Sequence, residues 1–207
     1  MSTHGCGYVA RQASLAVGLA LTLIANPAVA QKVDRPAVKV GDEWQFIEYY
    51  VVPIQKPNLI WVITSVTPAG ISGTENGKVL KLTPDLNVTE SPRADHSDWR
   101  LLSFPLEVGK KWAYSDDFMQ KDTDYAGHHE ASVTVVGHEK VRVPAGEFDA
   151  YKLEAKIKEG VQGGPPARDV TRIYWYAPAA RAVVKYHITN PSRGPETLEL
   201  VSFKLQP

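Results

Sequence analysis

The residues with the densest chemical potential lie between positions 122 and 130, where Asp122, Asp124, His128, His129 and Glu130 fall within nine residues. Imidazole and carboxylate together suit Zn2+ or Cu2+, which makes His128 and His129 the candidate metal ligands. No H-x-x-x-H or H-E-x-x-H spacing fixes two of these groups on one face, and Tyr125-Ala126-Gly127 gives the segment the composition of a solvated hairpin loop. His96-Ser97-Asp98 is a smaller cluster of the same kind. A serine nucleophile needs a strained strand-to-helix turn of the G-x-S-x-G type. None is present, and Ser72 in Gly70-Ile71-Ser72-Gly73 reads as part of a turn. Gly160 to Gly164 has neither the lysine nor the following helix of a phosphate-binding loop. Acids are plentiful, but a glycosidase pair is defined by which carboxylates face each other across a cleft. No catalytic constellation and no cofactor motif emerges.

Aromatic side chains are the other candidates. Tyr174-Trp175-Tyr176 is a run of three, with Tyr186 ten residues beyond Tyr176. On a strand, neighbours point to opposite faces. Tyr174 and Tyr176 therefore share one face and Trp175 takes the other. Core packing accounts for one face. A second layer, a ligand groove or a partner surface would account for the other. Tyr174, Trp175, Tyr176 and Tyr186 are the candidate ligand-binding residues.

These side chains are carried by strands. Val133, Val135, Val141 and Val143 fall on one parity, with Ser132, Thr134, His138, Lys140 and Arg142 on the other. Tyr151, Leu153, Ala155 and Ile157 alternate with Lys152, Glu154, Lys156 and Lys158. Period-two alternation means a sheet with one buried and one wet face. Val184, Tyr186 and Ile188 continue it, and Val201, Phe203 and Leu205 share a parity. Pro144-Ala145-Gly146, the span Gly160 to Pro166, Pro178 and Asn190-Pro191 punctuate these runs. An antiparallel meander of about five strands follows over 132–206. Earlier in the chain, Trp44 to Val52 and Leu59 to Thr67 read as strands, and Asn76-Gly77 is a hairpin signal. Ser91 to Trp99 reads as a polar loop, with a short helix around 94–103 as an option.

Val40-Gly41-Asp42-Glu43-Trp44 is echoed by Val108-Gly109-Lys110-Lys111-Trp112. Two similar strand starts, or a weak duplication of 38–105 and 106–207, would each produce this. Val141-Arg142-Val143-Pro144-Ala145-Gly146-Glu147-Phe148-Asp149-Ala150-Tyr151, with Ile173 to Pro178 and Val184-Lys185-Tyr186, resembles exported bacterial β proteins of the domain-of-unknown-function type. The resemblance covers roughly 106–206. It implies a curved antiparallel half-barrel similar to that of periplasmic lipoprotein carriers, with a concave apolar face, and brings no catalytic residues with it.

The N-terminus bounds where the protein works. Arg11 precedes an uncharged run over 13–24, Asn26-Pro27 breaks it, and Ala28-Val29-Ala30 offers a cleavage site. That is the pattern of a secretory signal peptide over residues 1–30. The run is shorter than the ~20 residues of a membrane span, so no transmembrane anchor is expected after cleavage. Cleavage removes Cys6, the sole cysteine, and leaves 22 Lys+Arg against 23 Asp+Glu once Arg11 is gone. A mixed, near-neutral surface argues against nucleic acid as a partner. An exported chain without disulfides fits the bacterial periplasm. The expectation for 31–207 is one mainly β domain. Its fold is a single antiparallel, strongly curved sheet or open half-barrel of about nine to eleven strands, with few helices. Its leading function is non-enzymatic binding of an apolar or amphipathic small molecule, or of a partner segment, on the concave sheet. An envelope interaction module using exposed strand edges and a metal-dependent enzyme using 122–130 are the alternatives.

Overall fold

The computed structural model describes residues 1–2, 32–50, 56–190 and 194–207. The expected signal peptide lies outside the described residues apart from its first two. Among the described residues the chain makes twelve strands: β1 (Glu43–Tyr50), β2 (Leu59–Thr67), β3 (Gly70–Glu75), β4 (Lys78–Leu82), β5 (Val88–Glu90), β6 (Ala94–His96), β7 (Lys111–Gln120), β8 (Tyr125–Val143), β9 (Gly146–Val161), β10 (Pro166–Ala177), β11 (Ala182–Asn190) and β12 (Gly194–Lys204). Each pairs antiparallel with the next, and β12 pairs back onto β1. The result is a closed barrel.

This corrects the expected open half-barrel of nine to eleven strands, for two physical reasons. First, β5 and β6 are three residues each. A period of two cannot show in three residues, so Ser91 to Trp99 reads as loop, and the optional helix over 94–103 is instead strand as far as His96 followed by irregular chain. Second, closure joins Glu43–Tyr50 to Glu196–Lys204, with a bulge between Gln45 and Phe46. Closure follows from the accumulated tilt and stagger of all the strands, which no local pattern encodes. The segment 122–130 is corrected too. Only its first three residues form a turn, and from Tyr125 it is strand, held in register by Asp116↔His129 and Asp117↔His128.

The strand periodicity holds. Val133, Val135, Tyr151, Leu153, Ala155 and Ile157 all point inward and are buried. Lys152, Glu154, Lys156 and Lys158 take the other parity of β9 and face outward. A membrane-spanning barrel shows the reverse, apolar outside and polar within. In β12 Leu198 and Leu200 point inward, and beyond the bulge opposite Gln45 and Phe46 the register sets Phe203 beside Trp44, its ring 5.9 Å from that of the buried Phe148. Asn76-Gly77 joins β3 to β4 with φ of 51° and 78°, the two positive values that a type I′ hairpin requires.

The echoed glycines do the same job twice. Gly41 and Gly109 have φ of 88° and 91°. Gly41 N–H donates to Ile63 O at 2.8 Å and Ile63 N–H returns a bond to Asp42 O at 2.9 Å. Gly109 N–H donates to Val135 O at 2.8 Å and Val135 N–H returns one to Lys110 O at 2.9 Å. Each turn thus ties the start of a strand to its following neighbour, at β1 and again at β7. From each tryptophan the inward parity runs through equivalent positions, Trp44, Phe46 and Glu48 in β1 and Trp112, Tyr114 and Asp116 in β7.

One end of the barrel is filled with apolar groups. Pro178–Ala180 forms a 3-10 turn there, and Trp44 Nε1–H donates to the Ala180 carbonyl at 2.7 Å. The chain between β6 and β7 sends Leu101, Leu102 and Leu106 into the interior. Asn87 clamps it, donating to Leu102 O at 2.8 Å and accepting from Leu102 N–H at 2.7 Å. Tyr176 is buried against Phe104, its ring centroid 5.2 Å away, and its hydroxyl has no partner among the described residues. A buried hydroxyl without a partner costs free energy that its removal returns. Tyr176→Phe is therefore expected to leave the urea midpoint unchanged or to raise stability by up to about 1 kcal/mol. A loss larger than about 1 kcal/mol would show that the hydroxyl is satisfied after all.

Candidate functional site

A cavity of about 290 Å3 lies inside the barrel. Its volume is at the small end of ligand cavities, roughly 300–1,000 Å3. The apolar part of its wall comes from Trp44, Phe46, Leu59, Leu82, Val88 and Leu102, placed by the inward parity of β1, β2 and β4 and by the clamped segment. Tyr174 and Tyr186 also line it, their rings 5.8 Å apart and inclined at 63°. The other two aromatic candidates are elsewhere. Tyr176 lies behind Phe104. Trp175 is on the outer face, where Nε1–H donates to Glu139 at 2.8 Å and the Lys152 ammonium sits 5.4 Å from the ring centroid.

The polar part of the wall collects near the tips of the β3–β4 and β5–β6 hairpins. Arg93 donates to Glu48 at 2.6 Å and lies 3.4 Å from Glu75. Trp61 Nε1–H donates to the other Glu75 oxygen at 3.0 Å. The Tyr186 hydroxyl contacts carboxylate oxygens of both Glu48 and Glu196, the latter at 2.7 Å. Burial opposes the charge on Arg93, but Glu48 and Glu75 outweigh it and hold the guanidinium charged. Burial, then the charges of Glu48 and Glu196, push the Tyr186 hydroxyl well above its ordinary value, so it stays O–H.

Beside this head stands a second buried network. Asp116 is fully buried and accepts from His96 Nδ1 at 2.7 Å, from the Asp98 amide at 3.0 Å and from Ser97 Oγ at 3.4 Å. His129 lies between Asp116 at 3.7 Å and Glu159 at 3.5 Å, stacked on Phe118 with centroids 4.4 Å apart. Glu159 also binds Arg168 at 2.5 Å and Arg172, whose guanidinium lies 5.1 Å from the Trp99 ring centroid. Burial alone would raise both carboxyls. Contacts from His129 and His96 on Asp116, and from His129, Arg172 and Arg168 on Glu159, hold them well below the usual carboxylate range.

His128 and His129 are not brought together. Strand alternation turns His129 inward and His128 to the other face, where Nδ1 meets Asp117 at 2.6 Å. Among the described residues no group of three or more His, Cys, Asp or Glu side chains is arranged to hold a metal ion. His96 pairs with Asp116, twenty residues away, rather than with its neighbour Asp98. Sequence reasoning passed over Glu48, Glu75, Arg93, Asp116, Glu159, Arg172 and Glu196. A usable signal was present for several of them. Glu48 shares the parity of Trp44 and Phe46, Asp116 that of Tyr114, Arg172 that of Tyr174, and Glu196 that of Leu198. A charge on the buried parity of a strand demands a partner inside.

No family model matches the chain, and no curated protein matches it. Solved structures do. A protein from Bacteroides fragilis described as exported, with a YmcC-like fold, aligns over 84% of this chain and 100% of its own at a TM-score of 0.54 and 16% identity. This chain shares that fold. A protein from Parabacteroides distasonis described as a lipoprotein aligns over the same shares at a TM-score of 0.53 and 11% identity. The resemblance to exported bacterial β proteins therefore holds at the level of the YmcC-like fold, and at these identities the likeness concerns fold alone.

Proposed function

We propose that the protein works in the bacterial cell envelope as a non-enzymatic carrier or sensor of one small amphipathic molecule, bound inside the barrel. The observation that carries this reading is the 290 Å3 cavity, apolar along most of its wall and polar at one end. The description of the B. fragilis protein as exported and of the P. distasonis protein as a lipoprotein, together with the signal-peptide pattern of residues 1–30, supports the location. Closure of the barrel weakens the interaction-module alternative, because a closed sheet offers no free edge for strand pairing. The metal-enzyme alternative lacks convergent ligands at 128–129.

Trp44, Trp61 and Trp99 line the cavity, so occupancy should be visible in intrinsic fluorescence. Titration with octanol is expected to shift the emission and saturate at one equivalent. Ala94 also lines the cavity, and Ala94→Phe puts a ring into the space. That variant is expected to retain the strand signature in circular dichroism and to lose the fluorescence response. An unchanged response in a folded Ala94→Phe protein would place octanol outside the barrel and remove the reading.

A further inference from the structure

We infer that the polar end of the cavity receives a cationic group, so that the bound molecule is an alkylamine or alkylammonium compound with its tail along the aromatic wall. The inference rests on the reading that the cavity holds a ligand.

Charge is the first argument. Glu48, Glu75 and Glu196 line the cavity together, and Arg93 is the cation that reaches them among the described residues. The other guanidiniums of the wall are engaged elsewhere, Arg172 by Glu159 and Arg181 by Asp42 at 3.1 Å. Three carboxylates against one guanidinium leave an excess of negative charge in a partly enclosed space, and such an excess draws in a cation.

Donor counting is the second argument, and it is independent of net charge. The Tyr186 hydroxyl carries one proton and lies between a Glu48 oxygen and a Glu196 oxygen. One proton serves one acceptor. The remaining carboxylate oxygen is left free to accept from solvent or from a ligand. His96 is also part of the cavity wall, its Nδ1 paired with the fully buried Asp116 carboxylate. The spare group at this end is an acceptor, and an ammonium N–H is a donor that matches it.

The walls supply the third argument. Trp44, Trp61, Trp99, Phe46, Tyr174 and Tyr186 present aromatic rings to the space. Ring faces attract cations, tryptophan most strongly. They also accept an alkyl chain, so the same lining serves head and tail.

Three probes of one length separate the possibilities: octylammonium, octanol and octanoate, each below its micelle concentration, titrated calorimetrically into the purified protein at neutral pH. Octylammonium is expected to bind roughly tenfold more tightly than octanol, the worth of one charge-assisted hydrogen bond, and octanoate to bind most weakly. Glu196→Gln is expected to lower the octylammonium affinity by roughly tenfold and to leave octanol unchanged. If that variant does not fold, the three-probe ranking on the native protein stands by itself. Octanoate binding most tightly would overturn the inference in favour of Arg172, whose Nε has no partner among the described residues. Equal affinity for octylammonium and octanol would overturn it as well, while leaving the cavity reading in place. Binding by none of the three would overturn both.

Discussion

Asp116→Asn is expected to cost about 3–5 kcal/mol at neutral pH, the usual toll for breaking a buried charged pair by removing one member. The carboxylate is fully buried and accepts from His96, Ser97 and the Asp98 amide at once. Asparagine keeps the volume but replaces one acceptor oxygen with an NH2 donor, which faces donors. At roughly 2–4 °C per kcal/mol for a chain of this size, the melting temperature should fall by about 10 °C. The effect must also depend on pH, and the sign follows from the direction of the shift. The Asp116 carboxyl is held well below its ordinary range in the folded protein. Its contribution is therefore fully present above the unfolded value of about 3.9 and is lost as pH falls toward the folded value. Glu159 is depressed in the same direction and adds to the same acid limb. Urea unfolding at pH 7 and near pH 3 should show the gap between native protein and Asp116→Asn narrowing with acid. A gap that stays constant across that range would mean the side chain contributes by shape rather than by charge.

Gly73→Ala is the second large effect. Gly73 lies in β3 between Ile63 of β2 and Leu80 of β4. A methyl group there would press into the Val62 carbonyl oxygen and stand 3.2 Å from the Val62 carbonyl carbon and 3.3 Å from Ile63 Cα. All three are backbone atoms of a paired strand, so relief requires moving β2, which already carries a register shift between Ile63 and Ser65. The expected loss is about 3 kcal/mol, at the upper end for overpacking. Gly127 makes the informative comparison. A methyl group there meets the Phe118 ring, which is a side chain and can turn away. Turning costs the stacking of Phe118 on His129, so Gly127→Ala should destabilise, but by less than Gly73→Ala. Thermal melts of the two variants decide it. The reverse order would mean that the Phe118–His129 stack is the stiffer of the two neighbours.

The chain's local patterns determined much by themselves. Alternation over 132–206 marked five strands, because each is long enough to show a period of two and one of its faces is buried. Asn76-Gly77 marked its hairpin, because few residues accept positive φ at two successive positions. The Gly41 and Gly109 turns were visible as an echo before their matching bonds were known. Four things were decided only by the tertiary structure. The three-residue strands β5 and β6 exist because β4 and β7 hold them on either side. The barrel is closed because the whole set of tilts brings Glu43 to Lys204. The head of the cavity joins Glu48, Glu75, Arg93, Tyr186 and Glu196, which come from five separate stretches of sequence. The inward charges were readable singly, as polar residues on a buried parity, but their partners were not. Which carboxylate meets which cation is a matter of register and closure, and these are properties of the whole sheet rather than of any segment within it.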